Sequence, residues 1–187
     1  MPGPLSGIRI FDMTRILAGP TATQILADLG ADVIKIERPG TGDDVRAWGP
    51  PYLKDKDGRD QPRESVYFNA ANRNKRSITL NLAAREGQEL ALQLIAKCDV
   101  LFENYKTGDL AKYGLAYAQL KDRFPRLIYC SLTGFGQTGP YADRAGFDLV
   151  VQGMGGIMSI TGPDGGEPAK VGVGIADVMT GMYSNIA

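Results

Sequence analysis

The 187-residue sequence contains no histidine, and this absence excludes several kinds of site within the chain. Catalytic pairs with an imidazole base, HExxH zinc sites and histidine-based pH switches all need the missing residue. Two cysteines, Cys98 and Cys130, are too few for a disulfide framework or a cysteine zinc cluster, so no metal site is expected. Both lie in apolar, strand-like runs, a setting typical of buried, inert thiols.

Net charge and long apolar runs are also missing. The 21 basic residues balance the 21 acidic ones, which removes the bulk electrostatic argument for binding nucleic acid or an anionic membrane. No apolar stretch approaches the roughly 20 residues of a membrane helix. The first residues lack the charged start and apolar run of a signal peptide. We therefore expect a cytoplasmic protein with no nucleic-acid or membrane partner.

The first third of the chain alternates in the α/β manner. Ile8–Phe11 predicts a strand, Pro20–Leu29 a helix with Gly30 as its C′ residue, and Asp32–Glu37 a second strand. A strand, a helix and a strand within so short a span form a βαβ unit, whose two strands run parallel.

The pattern resumes after a Gly-, Pro- and charge-rich stretch at 38–64, which we expect to be irregular. Further strands are predicted at 77–82, 99–103 and 127–132, and helices at 86–97, 109–113, 117–124, 148–154 and from 175 onward. The fold class is therefore α/β, with a mostly parallel sheet and helices on both faces.

The glycines of Gly134–Gly139 match GxGxxG after a strand. A dinucleotide fingerprint also needs a helix opening at the third glycine, whereas Pro140 follows at once. The first βα turn, Asp12–Pro20, has no glycine triplet. We interpret the match as false, and nicotinamide binding remains a distant alternative.

Two cationic features have a functional and an ordinary interpretation. Arg38 follows the second strand, at the sheet edge where α/β proteins bind ligands, and either holds a phosphate or is a solvated surface arginine. The cluster Asn72–Arg76 precedes the third strand. Such runs are usually exposed, although this position also suits a polyphosphate.

Asp177 lies in the first turn of the last predicted helix, after Gly172 and Gly174 and among apolar residues. A helix N-terminus favours an ionised carboxylate, and its free N–H groups can stabilise an oxyanion. The residue is therefore a candidate nucleophile. An ordinary N-terminal helix aspartate explains the same pattern.

Taken together, six segments resemble the class III CoA-transferases, which include formyl-CoA and carnitine CoA-transferases. They are Arg15–Pro20 (RILAGP), Asp32–Arg38 (DVIKIER), Asn74–Ile78 (NKRSI), Glu103–Tyr105 (ENY), Thr133–Pro140 (TGFGQTGP) and Gly174–Asp177 (GIAD). The resemblance implies a Rossmann-like large domain, a smaller second domain and an interlocked homodimer. Residues 1–187 would then be the N-terminal part of the large CoA-binding domain, without the second domain.

The resemblance also implies a site. Asp177 matches the catalytic aspartate, and the substrates would be coenzyme A, as an acyl-CoA, and a small carboxylic acid. Lys112 replaces an arginine of the family, which keeps the charge but loses bidentate geometry. The positions that match CoA contacts are Leu17, Ala18, Arg38, Leu80, Asn104, Tyr105, Lys112 and Tyr113.

The implied reaction passes CoA between two acids through an aspartyl-CoA thioester on Asp177 and needs no histidine. The α-methylacyl-CoA racemases share the fold but pair aspartate with histidine in a Gly-His-Asp stretch, where this chain has Gly146–Asp148 (GFD). Racemisation by that pair is excluded. A CoA-binding but inactive fragment remains an alternative, because family members are longer.

Substrate choice follows from smaller similarities. Leu17 replaces a glutamine of formyl-CoA transferase, which argues against oxalate or formate. The segments Asp43–Pro51 and Ile128–Gly134 are closest to the succinyl-CoA:glutarate type. Our hypothesis is succinyl-CoA as donor and a short dicarboxylic acid as acceptor. Arg46 or Arg144 would meet the distal carboxylate, unless each forms only surface ion pairs.

Overall fold

Seven strands and six α-helices make up the computed structural model, which describes residues 2–187. The strands are β1 (Arg9–Asp12), β2 (Asp32–Glu37), β3 (Tyr52–Lys54), β4 (Asp60–Ser65), β5 (Lys75–Thr79), β6 (Val100–Glu103) and β7 (Ile128–Ser131). The helices are α1 (Ala18–Asp28), α2 (Val66–Asn72), α3 (Arg85–Ile95), α4 (Tyr117–Leu120), α5 (Asp148–Met154) and α6 (Ile175–Ile186). Within residues 2–187, no helix has the length and hydropathy needed to cross a bilayer.

The central sheet has the order β5-β2-β1-β6-β7, and every neighbouring pair in it is parallel. This confirms the predicted α/β class. The chain builds outward from β1 to β2 and β5, then returns to β6 on the other side of β1. The strand order therefore reverses between β1 and β6, and the crevice beyond the carboxyl ends at such a point is where open α/β sheets bind ligands.

Hydrophobic residues of the strands point alternately to two faces, and each face is covered. Buried residues on the α1 side are Ile10, Val33, Phe102, Ala22 and Ala27. Those on the α3 side are Phe11, Ile34, Leu101, Ala91 and Ile95. Parallel strands with both faces buried are mostly apolar, and Ile10–Phe11 of β1 and Val33–Ile34 of β2 follow from this layering. The buried charged residues Asp12, Lys35 and Glu37 lie toward the carboxyl ends of the same strands.

Helix α1 begins earlier than predicted, at Ala18, and places Pro20 inside its first turn. Thr21 N donates to Leu17 O over 2.8 Å, which closes the first turn. The helix ends as predicted, because Gly30 adopts φ +102° just past the cap residue Leu29. A left-handed residue at this point favours glycine.

The stretch 38–64 is more ordered than predicted. A 3-10 turn covers Asp44–Ala47, and the antiparallel hairpin β3–β4 follows it. Ser65 then caps α2 by accepting a hydrogen bond from Phe68 N over 2.9 Å. These strands are short and largely exposed, so their composition lacks the apolar alternation that predicts a strand.

Helix α6 packs across α1 at close range. A Cβ on Gly181 would lie 2.6 Å from Ala18 O, so only glycine fits at this crossing. Asn185 Nδ2 donates to Ala22 O over 3.1 Å one turn further along. The contact brings the first turn of α6, with Asp177, to the carboxyl edge of the sheet.

Candidate functional site

Two neighbouring cavities open at the carboxyl edge of the sheet. The larger, of about 500 Å³, is lined by five of the predicted CoA-contacting residues, namely Arg38, Leu80, Tyr105, Lys112 and Tyr113. The smaller, of about 280 Å³, is lined by Ala18, Asn104, Tyr105 and Asp177 among others. Tyr105 borders both, so the predicted CoA positions and the predicted nucleophile share one continuous wall.

Among the predicted CoA-contacting residues, Leu17 alone borders neither cavity. It lies at the start of α1, and its Cδ2 is 3.0 Å from the position that a Cβ on Gly174 would occupy. Gly174 precedes α6 directly. Leu17 therefore packs against the base of the helix that carries Asp177, so the structure gives it a packing contact.

The larger cavity combines exposed cations with aromatic and aliphatic walls. Arg38 is half exposed and pairs with Asp44 across the rim. Lys112 pairs with Asp109 over 3.5 Å and lies 5.1 Å from the Tyr113 ring centroid. Because both ion pairs are solvent-exposed and weak, either cation can exchange its partner for a phosphate at little cost.

Asp177 is half-buried in the first turn of α6. Burial raises the pKa of its carboxyl to about 6, and the negative charge of Asp148 adds to the rise. The expectation that the helix N-terminus lowers this pKa is wrong, because desolvation and a like charge outweigh the dipole. An ionised Asp177 is consequently less stabilised, and more basic, than an ordinary aspartate.

Asp148 is the reason the helix end offers no oxyanion site. Its Oδ1 accepts hydrogen bonds from Ala176 N over 2.8 Å and Asp177 N over 3.2 Å. The predicted use of these N–H groups for an oxyanion is therefore wrong. Gln152, 2% exposed, donates to Asp148 Oδ2 over 2.5 Å and accepts from Val171 N over 2.9 Å, which fixes the carboxylate.

Asn104 joins the loops that follow β1 and β6. Its Oδ1 accepts from Arg15 N over 2.9 Å, and its Nδ2 donates to Arg15 O over 2.7 Å. The Arg15 guanidinium lies 4.9 Å above the Tyr105 ring centroid. Tyr105 N in turn donates to the buried Glu103 over 2.8 Å, so the wall between the cavities is held from both loops.

Of the two arginines considered for a distal carboxylate, Arg46 is already occupied. It donates to Glu37 through Nε over 2.7 Å and Nη2 over 2.8 Å, and to Glu64 over 3.1 Å. Arg144 instead lines the smaller cavity with Asp177 and stacks 4.1 Å from the Tyr141 ring centroid. Within residues 2–187 it forms no ion pair.

The cationic cluster 72–76 does not face either cavity as a set. Lys75 is buried and donates to Asp12 Oδ2 over 3.2 Å and to Pro20 O over 2.9 Å. Arg73 and Arg76 form exposed ion pairs with Asp28 and Asp32. The polyphosphate interpretation is therefore wrong, because acidic residues of α1 and of the two central strands neutralise the cluster.

The GxGxxG match lies in a loop, with no helix until α5. A Cβ on Gly134 would be 2.3 Å from Gly146 Cα, so this glycine allows two loop strands to touch. The structure thus agrees with the interpretation of the match as false. The two cysteine thiols are half-buried and free, and burial raises the pKa of each to about 11, so both are protonated at neutral pH.

Tyr67 lines neither cavity but lies within electrostatic range of Asp177, a proximity that the sequence did not reveal. Burial raises its pKa, and the negative charges of Asp177 and Asp148 add to the rise. Its ring packs edge-on against Trp48 at 5.6 Å. Asp148 and Lys106, which also lines the smaller cavity, were likewise not predicted as site residues. Only their spatial neighbours reveal them.

Comparison with known proteins identifies relatives of this chain. A family profile described as CoA-transferase family III matches residues 5–187. Succinate--glutarate CoA-transferase of Agrobacterium fabrum is 56% identical over 97% of this chain and 45% of its own length. Succinyl-CoA:glutarate CoA-transferase of Homo sapiens is 49% identical over 97% of this chain and 40% of its own.

A crystal structure of a CAIB/BAIF family protein from Brucella suis superposes with a TM-score of 0.93 at 54% identity, covering 100% of this chain and 48% of that one. Rv3272 from Mycobacterium tuberculosis superposes at 0.85 and 34% identity, over 99% and 48%. The chain thus spans less than half the length of each of these relatives. On the matching profile and these identities, the chain belongs to CoA-transferase family III.

Proposed function

We propose that the chain carries the CoA-binding surface and the nucleophile of an enzyme that moves CoA from succinyl-CoA to a short dicarboxylic acid. The observation that carries the proposal is the shared wall at Tyr105, which joins the cavity of the predicted CoA contacts to the cavity of Asp177. Two relatives with succinyl-CoA and glutarate, or succinate and glutarate, in their names support this pair of substrates.

The larger cavity takes the nucleotide end of CoA. Arg38 and Lys112 provide the cations for its phosphates, and Leu80 and Tyr113 provide apolar and aromatic surface. The pantetheine arm passes Tyr105, Ala18 and Asn104 and brings the thioester to Asp177. This assignment uses all the predicted contacts except Leu17, which acts through packing.

Asp177 begins the reaction by attacking the acyl carbonyl of succinyl-CoA. A carboxylate–acyl bond forms, the C–S bond breaks and CoA leaves as a thiolate, which gives a mixed anhydride. The thiolate then attacks the aspartyl carbonyl, forming the aspartyl-CoA thioester and releasing succinate. The acceptor carboxylate attacks this thioester, and the thiolate takes the new acyl group from the second anhydride, which restores Asp177.

No step requires a proton acceptor, because carboxylates and thiolates attack in their ionised forms. The raised pKa of Asp177, about 6, suits this role. Most of the carboxyl is ionised at neutral pH, while its higher basicity makes it a stronger nucleophile than a fully solvated aspartate.

Charge in the smaller cavity supports a dicarboxylic substrate. Asp177 is accompanied there by two cations, Lys106 and Arg144. The cavity is smaller than the roughly 300–1,000 Å³ of sites for drug-sized ligands, which suits a short acid. Arg144, held against Tyr141, is the group that would accept the distal carboxylate in a bidentate arrangement.

The proposal extends to the assembly of the complete protein. Residues 1–187 form part of the large CoA-binding domain, and the longer protein is a homodimer with a second, small domain. A CoA-binding chain without turnover is the second candidate for residues 1–187 alone. The lengths of the relatives favour it, because this chain covers only 45% of the Agrobacterium fabrum enzyme.

Covalent trapping tests the function. The complete gene product and residues 1–187 are each incubated with succinyl-CoA, quenched with hydroxylamine and mapped by mass spectrometry, with CoA binding measured by calorimetry. We expect a hydroxamate at Asp177 in the complete protein, none in D177N, and an unchanged yield in D164N, which alters an exposed loop aspartate. An unmodified Asp177 in protein that binds CoA contradicts the mechanism.

A further inference from the structure

Ile16 has a backbone conformation that β-branched residues avoid. Its φ is +71°, and among residues 2–187 only Asn74 is another non-glycine residue with positive φ. A β-branched side chain in the left-handed region is strained and persists only where its surroundings hold it. Ile16 lies between β1 and α1, immediately before Leu17 and Ala18. The turn that it makes therefore sets where α1 begins.

Side chains, rather than regular secondary structure, hold the backbone of Thr14–Ile16. Thr14 N donates to Asp12 Oδ1 over 2.9 Å, and Arg15 is held on both sides by Asn104. Lys35 Nζ donates to Thr14 O over 2.9 Å. Ile16 N, the group at the strained residue itself, donates to Asp43 Oδ1 over 3.2 Å.

Lys35 and Asp43 form a buried ion pair that spans this segment. Their charged atoms are 2.9 Å apart, and their side chains are 1% and 0% exposed. One partner holds Thr14 O and the other holds Ile16 N, so the pair brackets Arg15. Although both residues border the larger cavity, their side chains are sealed from it. The pair reaches the cavities through the loop, and Asp43 Oδ1 also accepts from Val45 N over 3.2 Å, which caps the 3-10 turn.

The loop connects directly to the nucleophile. Leu17 packs against Gly174 at the base of α6, and Ala18 both lines the Asp177 cavity and meets Gly181 through its carbonyl oxygen. Arg15, on the other side of Ile16, lies over Tyr105 in the wall between the cavities. Residues on both sides of Ile16 thus contact the two parts of the site, the base of α6 and the wall at Tyr105.

We propose that Asp43, paired with Lys35, is a positioning residue that holds Ile16 in its left-handed conformation and thereby sets Asp177 against the CoA-side wall. The inference rests on the function proposed for Asp177 but concerns two side chains that are sealed from both cavities. Three observations support it. Ile16 has a strained backbone, the buried Lys35–Asp43 pair is hydrogen-bonded to that backbone, and α6, which carries Asp177, packs against Leu17 and Ala18.

A double-mutant cycle in the complete gene product tests the role. D43A removes the acceptor for Ile16 N, and we expect the rate of hydroxamate formation at Asp177 to fall about 10- to 100-fold, the effect of a small misplacement of a reacting group. CoA affinity should fall much less. I16G added to D43A should restore most of the rate, because glycine adopts positive φ without strain. I16G alone completes the cycle.

A stability-matched control separates positioning from general loosening. L120A removes buried side-chain volume from the core beside α4, and I16G should not improve the rate of this variant. A wild-type rate in D43A, or no restoration by I16G, overturns the proposal. If D43A does not fold, the double variant K35M/D43A replaces it, because this change removes the acceptor for Ile16 N without leaving Lys35 as an unpaired buried charge; restoration by I16G then decides in the same way.

Amide hydrogen exchange of residues 14–18 gives a readout independent of catalysis. We expect faster exchange in D43A and recovery in the double variant. If the wild-type protein forms no hydroxamate at Asp177, the proposed function fails, whereas the exchange result still decides whether Asp43 holds the loop. Unaltered exchange in D43A overturns the positioning role whatever the activity.

Discussion

Asp148 Oδ1 accepts a hydrogen bond from the backbone N–H of Asp177 over 3.2 Å. The Asp148 carboxylate therefore caps α6, whose first turn carries Asp177. It occupies the N-terminal end of this helix, where the helix dipole favours negative charge. The two charges face each other across this cap. Together with burial, that proximity raises the pKa of Asp177 to about 6.

The rate of thioester formation should follow this pKa. Because only the ionised carboxylate attacks, the rate of hydroxamate formation at Asp177 is expected to fall as pH drops through about 6. D148N removes the neighbouring charge and keeps an oxygen to cap the helix, so its midpoint should move to lower pH. D143N, at an exposed neighbour, should leave the midpoint in place. A wild-type midpoint near the ordinary aspartate value would contradict the assignment.

Replacing Asp177 should stabilise the fold. Its pKa is raised in the folded protein, so its ionised form opposes folding above about pH 6, and this cost disappears below the unfolded value of 3.8. D177N should therefore raise the free energy of unfolding by about 1–3 kcal/mol at mildly alkaline pH. Urea denaturation of residues 1–187 across pH measures it. A difference between variants that stays constant down to acid pH would exclude the electrostatic cause.

The crossing of α1 and α6 predicts a steric effect at Gly181. A methyl group there would lie 2.6 Å from Ala18 O, which is backbone and cannot move aside alone. G181A should cost about 1–3 kcal/mol of stability through overpacking. G172A is the matched control, since a Cβ on Gly172 meets no atom within 4 Å. Equal denaturation midpoints for the two variants would show that the helices can separate freely.

Arg144 should contribute to kcat/KM for dicarboxylic acids but little for monocarboxylic acids. Loss of a charge-assisted hydrogen bond costs about 1.5–3 kcal/mol, so R144Q should lower kcat/KM for glutarate about 10- to 100-fold. Valerate, of equal chain length with no distal carboxylate, should be affected little, and R144K should fall between. R123Q is the control, since Arg123 stacks on Phe124 and lines neither cavity. Equal losses for both acids would place Arg144 outside the recognition of the distal group.

Local sequence patterns predicted the elements that are buried on both faces or have clear stop signals. Strand β2 has its predicted bounds, and Gly30 ends α1 as expected. The predicted bounds of β5 were wrong: the strand covers Lys75–Thr79 and pairs Lys75 with Val33, so it begins and ends earlier than the predicted strand at 77–82. Leu80 and Leu82 are buried although they follow the end of β5, so the alternation of buried side chains continues past the last residue that is paired in the sheet.

For the site, the sequence predicted the main residues but not the neighbours that contact them. The candidate nucleophile was named from its place in a helix, the CoA positions followed from the family resemblance, and the structure places all but Leu17 along two adjoining cavities. The partners that set the charge and position of these residues were not predictable. Asp148 is 29 positions from Asp177, and Asn104 is 89 from Arg15. Such contacts arise only when the loops of separate strands converge.

Apart from Tyr105, the residues that line the two cavities are different. The larger cavity draws on 14–15, 35–43, 80–83 and 109–113, whereas the smaller one draws on 18, 104–107, 132–134, 144–147 and 151 together with α6. Under the proposed function, the nucleotide end of CoA and the acid would therefore contact largely different segments of the chain, which adjoin only in the loops after β1 and β6. A relative would then change the acid that it accepts through substitutions in 132–147, with the segments of the larger cavity unaltered.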